Sequence, residues 1–83
     1  MEGYFVYAIK SNKDSRIYVG ISENPERRLG EHNSGDAKST KFYRPWIIIY
    51  KKFIGTRIKA RKEEKKLKSG YGKEFLKLLK FNK

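Results

Sequence analysis

The chain reads as an α+β fold, a small three-stranded antiparallel sheet flanked by helices in the order β-β-α-β-α-α. Three observations predict it. Two short apolar runs, Tyr4-Phe5-Val6-Tyr7-Ala8-Ile9 and Arg16-Ile17-Tyr18-Val19-Gly20-Ile21, are separated by the turn-forming cluster Ser11-Asn12-Lys13-Asp14-Ser15. A third run, Trp46-Ile47-Ile48-Ile49-Tyr50, is the most strand-like in the chain. Between and after these runs stand two helix starts, at Asn24-Pro25-Glu26 and at Thr56-Arg57.

The first two runs form a β-hairpin. Both are apolar on both faces, which predicts that at least one strand is covered on each side. A two-residue turn at Asn12-Lys13 sets Tyr7 opposite Tyr18, whereas a four-residue turn over Asn12 to Ser15 sets Tyr7 opposite Gly20. In either register both tyrosines share one face. Gly20 leaves that face open beside them, as a bulge or a place of close approach. A buried hydroxyl needs a partner, so two tyrosines in otherwise apolar strands stand out.

In the segment that follows, Asn24 is a cap, Pro25 suits the first helical position and Glu26 complements the positive end of the helix dipole. These predict a helix from Pro25 to about Asn33, stopping in Asn33-Ser34-Gly35. At 100° per residue, Pro25, Leu29 and His32 make one stripe, with Arg28 on its edge and Arg27 pointing away. Arg28 and His32 therefore face the protein together. Asp36 to Arg44 is a polar connection with Lys38, Lys41 and Arg44 and room for a short turn of helix. Pro45 leads into the third strand, which ends near Phe53 and is broken by Gly55-Thr56.

Thr56 caps a helix from Arg57 to Lys68, in which Ala60, Glu64 and Leu67 line one face with Glu63 on its flank. Glu64 is thus an acid on the only apolar stripe this helix has. The remaining face, including Arg61, Lys65 and Lys68, is densely positive. After Ser69-Gly70, a last amphipathic helix, about Lys73 to Lys80, offers Phe75, Leu76, Leu79 and Phe81 to the core.

A length of 83 residues predicts one domain over residues 1–83 with a modest core. The 21 Lys and Arg against 9 Asp and Glu, a net charge of +12, point to a polyanionic partner, nucleic acid ahead of an anionic membrane. Absence of cysteine excludes disulfides, thiolate metal sites and a Cys nucleophile. Met1-Glu2-Gly3 lacks a basic signal-peptide start and no apolar run approaches a membrane span, so a soluble cytoplasmic protein is expected.

Taken singly, Tyr7, Tyr18, Arg28, His32 and Glu64 have bland explanations: packing tyrosines, a structural histidine, a salt-bridging acid. Together their spacing resembles the GIY-YIG nuclease domain. The resemblance rests on Phe5-Val6-Tyr7, Tyr18-Val19-Gly20, Arg28 ten residues beyond Tyr18, His32-Asn33, and Glu64 four residues after Ala60. It covers nearly all of Gly3 to Lys68. Thr40-Lys41-Phe42-Tyr43-Arg44-Pro45-Trp46 is similar to a segment of the small stand-alone members. Phe5 stands where the first motif has glycine, and a late asparagine of some members has a counterpart only at Asn82.

The resemblance implies a metal-dependent DNA endonuclease of structural or weak sequence selectivity, the domain otherwise serving homing, excision repair, restriction and branched-DNA resolution. Glu64, a hard oxygen ligand, suits one Mg²⁺ or Mn²⁺; a single carboxylate does not hold two. Arg28 suits bidentate contact with phosphate oxygens. Tyr7 is the implied general base and Tyr18 a positioning group, with His32 the rival base. A phenol with pKa near 10 is a poor base at neutral pH, so Arg28 and the metal are expected to lower it. Lys41, Arg44, Arg61, Lys65 and Lys68 are the expected nucleic-acid contacts, and no small-molecule cofactor is expected. Two competing classes are a binding module on this scaffold without turnover and a plain basic structural or ribosome-associated protein.

Overall fold

The structure, a computed structural model, describes residues 3–79. Its elements are β1 (Tyr4–Ser11), β2 (Ile17–Ser22), α1 (Pro25–Ser34), a 3₁₀ turn (Lys41–Tyr43), β3 (Trp46–Gly55), α2 (Arg57–Lys68) and α3 (Gly70–Leu78). The strands form one antiparallel sheet in the order β2-β1-β3. The central position of β1 accounts for its unbroken apolar run: Val6, Ala8 and Ile9 have no exposed surface and Tyr7 only 1%. On one face Val6, Ala8 and Val19 pack with Leu67 of α2 and Leu76 of α3. On the other, Tyr7, Ile9 and Trp46 pack with Leu29 of α1 and Tyr43 of the 3₁₀ turn.

The hairpin takes the four-residue turn. The Ser11 amide donates to the Arg16 carbonyl at 2.8 Å, and the resulting register sets Tyr7 opposite Gly20. β3 runs two residues beyond the expected end, to Gly55, and has ten residues against the eight of β1. The surplus falls at Ile49 and Ile54, which are skipped where the register shifts, as in β-bulges.

The helix caps fall where the sequence puts them. The Asn24 side chain accepts from the Arg27 amide, Gly35 ends α1 with φ of 90°, and Thr56 accepts from the Lys59 amide. Ala60, Glu64 and Leu67 are the buried residues of α2. α3 departs from expectation by starting at Gly70 rather than Lys73, because Ser69 caps it by accepting from the Gly72 amide at 3.3 Å. Gly70 and Gly72 read as loop in the sequence. Yet a Cβ on Gly72 would lie 2.4 Å from the Leu67 Cα, so glycine there permits the close turn between the two helices. Leu76 is buried and Leu79 joins the core, while Phe75 is 39% exposed, edge-on to Tyr50 at 5.6 Å. Lys80, Phe81 and Asn82 lie outside the described residues.

Candidate active site

Pairing of Tyr7 with Gly20 sets the geometry. A Cβ on Gly20 would lie 2.9 Å from the Tyr7 hydroxyl oxygen and 3.2 Å from the Tyr18 ring, so glycine is what lets both tyrosines lean over β2. The Tyr7 hydroxyl meets His32 Nε2 at 3.2 Å, and the Tyr18 ring centroid is 4.9 Å from that of the imidazole. His32 itself is wholly buried, with Nδ1 2.8 Å from Thr40 Oγ1. The Thr40 hydroxyl has the Ala37 carbonyl at 3.4 Å to donate to, which leaves its oxygen to accept from Nδ1–H. Nε2 is then the bare nitrogen and accepts from Tyr7. Burial, followed by the Arg28 charge, pushes the imidazole pKa below its ordinary 6.5, in keeping with a neutral ring.

The shelf under these hydrogen bonds is made by two further side chains, Trp46 and Asn33. The Trp46 indole donates to the Thr40 carbonyl at 2.9 Å, and the Asn33 side chain bridges the Trp46 backbone, accepting from its amide at 2.6 Å and donating to its carbonyl at 3.0 Å. α1, the 3₁₀ turn and β3 are thereby tied around His32. Thr40, Asn33 and Trp46 were not among the expected site residues. Their signal lay in His32-Asn33 and in the Thr40 to Trp46 segment, both of which carried the resemblance without a physical role.

Arg28 is half-buried and held by Glu31 through an ion pair at 2.5 Å, a partner one helical turn on that the sequence reading did not weigh. Its guanidinium is within interaction range of the Tyr7 hydroxyl. Glu64 arrives from the opposite face of the sheet, on α2, as the one buried acid among the described residues. Its oxygens meet Arg61 Nη1 at 3.4 Å and Lys68 Nζ at 3.1 Å. Its charge still reaches Tyr7, whereas Glu63 turns to the flank beside Tyr50. Tyr7, Tyr18, Arg28 and His32 are therefore gathered on one face of the sheet, while Glu64, on the other, is near enough for its charge to reach Tyr7.

Among the protein's own groups, burial and then the neighbouring Tyr18 raise the Tyr7 phenol above its ordinary pKa of 10, so Arg28 alone does not lower it. Among the expected nucleic-acid contacts, Arg61 and Lys68 are engaged with Glu64, Arg44 donates to the Lys41 carbonyl at 2.7 Å, Lys41 lies 5.1 Å from the Phe42 ring centroid, and Lys65 is exposed. No group of three His, Cys, Asp or Glu side chains suited to a metal is present among the described residues. No helix among them is long and apolar enough to cross a membrane.

With two tyrosines on the sheet, an arginine on α1 and a glutamate on α2, the chain falls in a definite class: the family model for the GIY-YIG catalytic domain matches residues 3–78, and the chain belongs to this family of nucleases. Within it, the chain is similar to a UPF0213 protein of Staphylococcus saprophyticus, 34% identical over 80 residues that cover 95% of this chain and 96% of the relative. A UPF0213 protein of Staphylococcus haemolyticus is 32% identical over the same shares, and one of Staphylococcus aureus strain Mu3 is 33% identical over 96% of this chain and 98% of its own. No solved structure matches.

Proposed function

We propose that the protein is a metal-dependent DNA endonuclease that hydrolyses phosphodiesters at the Gly20 edge of β2. The observation that carries this reading is the Tyr7 hydroxyl, hydrogen-bonded to a buried imidazole, beside the Arg28 guanidinium and in the field of Glu64. A phenol raised above its ordinary pKa is not a standing phenolate, so Tyr7 serves as base only if its own proton leaves as it takes another. His32 Nε2 supplies the acceptor. An attacking water gives a proton to the Tyr7 oxygen, the Tyr7 proton passes to His32, and the hydroxide forms its bond to phosphorus as the bond to the leaving 3′ oxygen breaks. That oxygen takes its proton from solvent. Tyr7 and His32 act in series, because both imidazole nitrogens are already engaged, Nε2 by the Tyr7 hydroxyl and Nδ1 by Thr40.

Arg28, steadied by Glu31, faces the non-bridging oxygens, and Tyr18 positions the water or the phosphate. Glu64 is a single buried carboxylate, and no group of three His, Cys, Asp or Glu side chains is present among the described residues, so it fits a small hard cation that keeps most of its waters, Mg²⁺ or Mn²⁺. When bound, that ion supplies charge neutralisation at the phosphate.

Plasmid nicking with and without Mg²⁺ tests the reading. Glu64→Gln keeps the shape and removes the ligand charge, so cleavage should fall at least ~100-fold, the scale of a lost preorganised electrostatic contribution, while DNA binding persists. Wild-type cleavage by a folded Glu64→Gln protein would overturn the assignment. The two cations already on Glu64 favour one other reading, a binding module without turnover. Retention of DNA by a protein that nicks with neither Mg²⁺ nor Mn²⁺ would select it.

A further inference from the structure

A groove of about 420 Å³ opens beside the catalytic edge, between the start of β2, the end of α2 and α3. Its floor is apolar, made by Ile17, Val19, Leu67 and Leu76, and the charged residues that line it, Arg16, Lys68, Lys73 and Lys77, are all cations. Three of these have partners: Arg16 pairs with Asp14 at 3.2 Å and lies 3.9 Å over the Tyr43 ring, Lys68 pairs with Glu64 at 3.1 Å, and Lys77 is 4.0 Å from Glu74. Lys73 pairs with no carboxylate among the described residues. An occupant suited to this groove is flat and apolar at one end and anionic at the other. A nucleotide has that character, and the volume is in the range of small-ligand sites.

Position supports the same occupant. Tyr18 and Lys68 border both the groove and the catalytic cluster, and Arg16 precedes Gly20 by four strand residues, roughly 13 Å at the usual rise. The groove lies on the α2/α3 face of the sheet and Tyr7 on the α1 face, so a nucleic-acid strand whose scissile phosphate lies near Tyr7 reaches the groove by passing round the edge strand β2. A base enters an apolar recess only when it is out of its stack. We propose, resting on the nuclease reading, that the groove is a subsite for one unstacked nucleotide flanking the scissile phosphate. The preferred substrate is then a nucleic acid with an unpaired stretch beside the cut, its base against the partly exposed Ile17 and its phosphate near Lys73 and Lys77.

The test is binding in chelator, which needs no turnover, to a duplex and to the same duplex with a short unpaired tail. Wild type should prefer the tailed form ~10-fold, the scale on which contact with one base contributes. A Lys73→Gln/Lys77→Gln protein and an Ile17→Thr protein, each checked for folding by thermal melting, should lose that preference while duplex affinity changes less. Equal affinity of wild type for the two DNAs, or an equal loss on both in the variants, would overturn the subsite and leave the nuclease reading untouched. Failure of wild type to bind either DNA would bring down both.

Discussion

Tyr7 and Gly20 face one another across the hairpin, and the hydroxyl of the first occupies the space that a side chain on the second would fill. Gly20→Ala places a methyl 2.9 Å from that oxygen, so the tyrosine must swing away from His32. Stability should fall by about 1–3 kcal/mol, the usual cost of overpacking, and cleavage should fall with it. Melting and nicking of the same preparation check this. Tyr7→Phe keeps the ring and deletes only the proton carrier, so it should abolish most cleavage in a folded protein. His32 is best tested by pH. Its pKa in the fold is below 6.5, so on acidification the unfolded chain takes the proton first; stability is level above about pH 6.5 and declines below it. The wild-type decline between pH 6.5 and 5 should be absent from His32→Gln, measured by urea unfolding, and the wild-type cleavage rate should fall on acidification as the acceptor nitrogen fills. The identity of these residues was legible because their side chains break an apolar pattern. Their wiring was not: Thr40, in a polar connection, bonds His32, and Trp46 in turn bonds the Thr40 carbonyl, and no periodicity announces a contact across a loop.

At the scale of elements, α1 and α2 were readable from their ends, since Asn24, Gly35 and Thr56 each satisfy a terminal backbone group by local chemistry. The hairpin was readable up to its register, which two turn lengths left open and the Ser11–Arg16 hydrogen bond decides. The start of α3 was not readable, because local propensity places Gly70 and Gly72 outside a helix and only the contact with α2 explains them. Ala is the better helix former in isolation, yet Gly72→Ala should destabilise this protein, since the new methyl would lie 2.4 Å from the Leu67 Cα and the Lys66 carbonyl oxygen, both backbone atoms with little room to move. Thermal melting decides it: a rise in Tm would mean that the α2–α3 turn opens freely to admit the methyl. Gly70→Ala, which meets nothing within 4 Å, is the control and should be neutral or mildly stabilising.

Across the whole molecule, a charge of +12 is repelled by itself and attracted to phosphate, and the pairing inside the fold determines how much of it is available. Composition alone counts Arg61 and Lys68 with Lys41, Arg44 and Lys65. The structure sets the first two on Glu64 instead, so their charge is partly spoken for. Each phosphate neutralised on duplex DNA contributes about 0.9 to the slope of log affinity against log salt, hence about 2.7 for three contacts and about 4.5 for five. Measured in chelator, so that metal binding plays no part, wild type should lie near the lower figure. Glu64→Gln removes the carboxylate that holds Arg61 and Lys68, so its slope should steepen toward the higher figure and its affinity at low salt should rise. A salt-independent affinity would remove the basic face from the contact surface. An unchanged slope in Glu64→Gln would mean that the two cations serve the acid alone and leave the DNA to Lys41, Arg44 and Lys65.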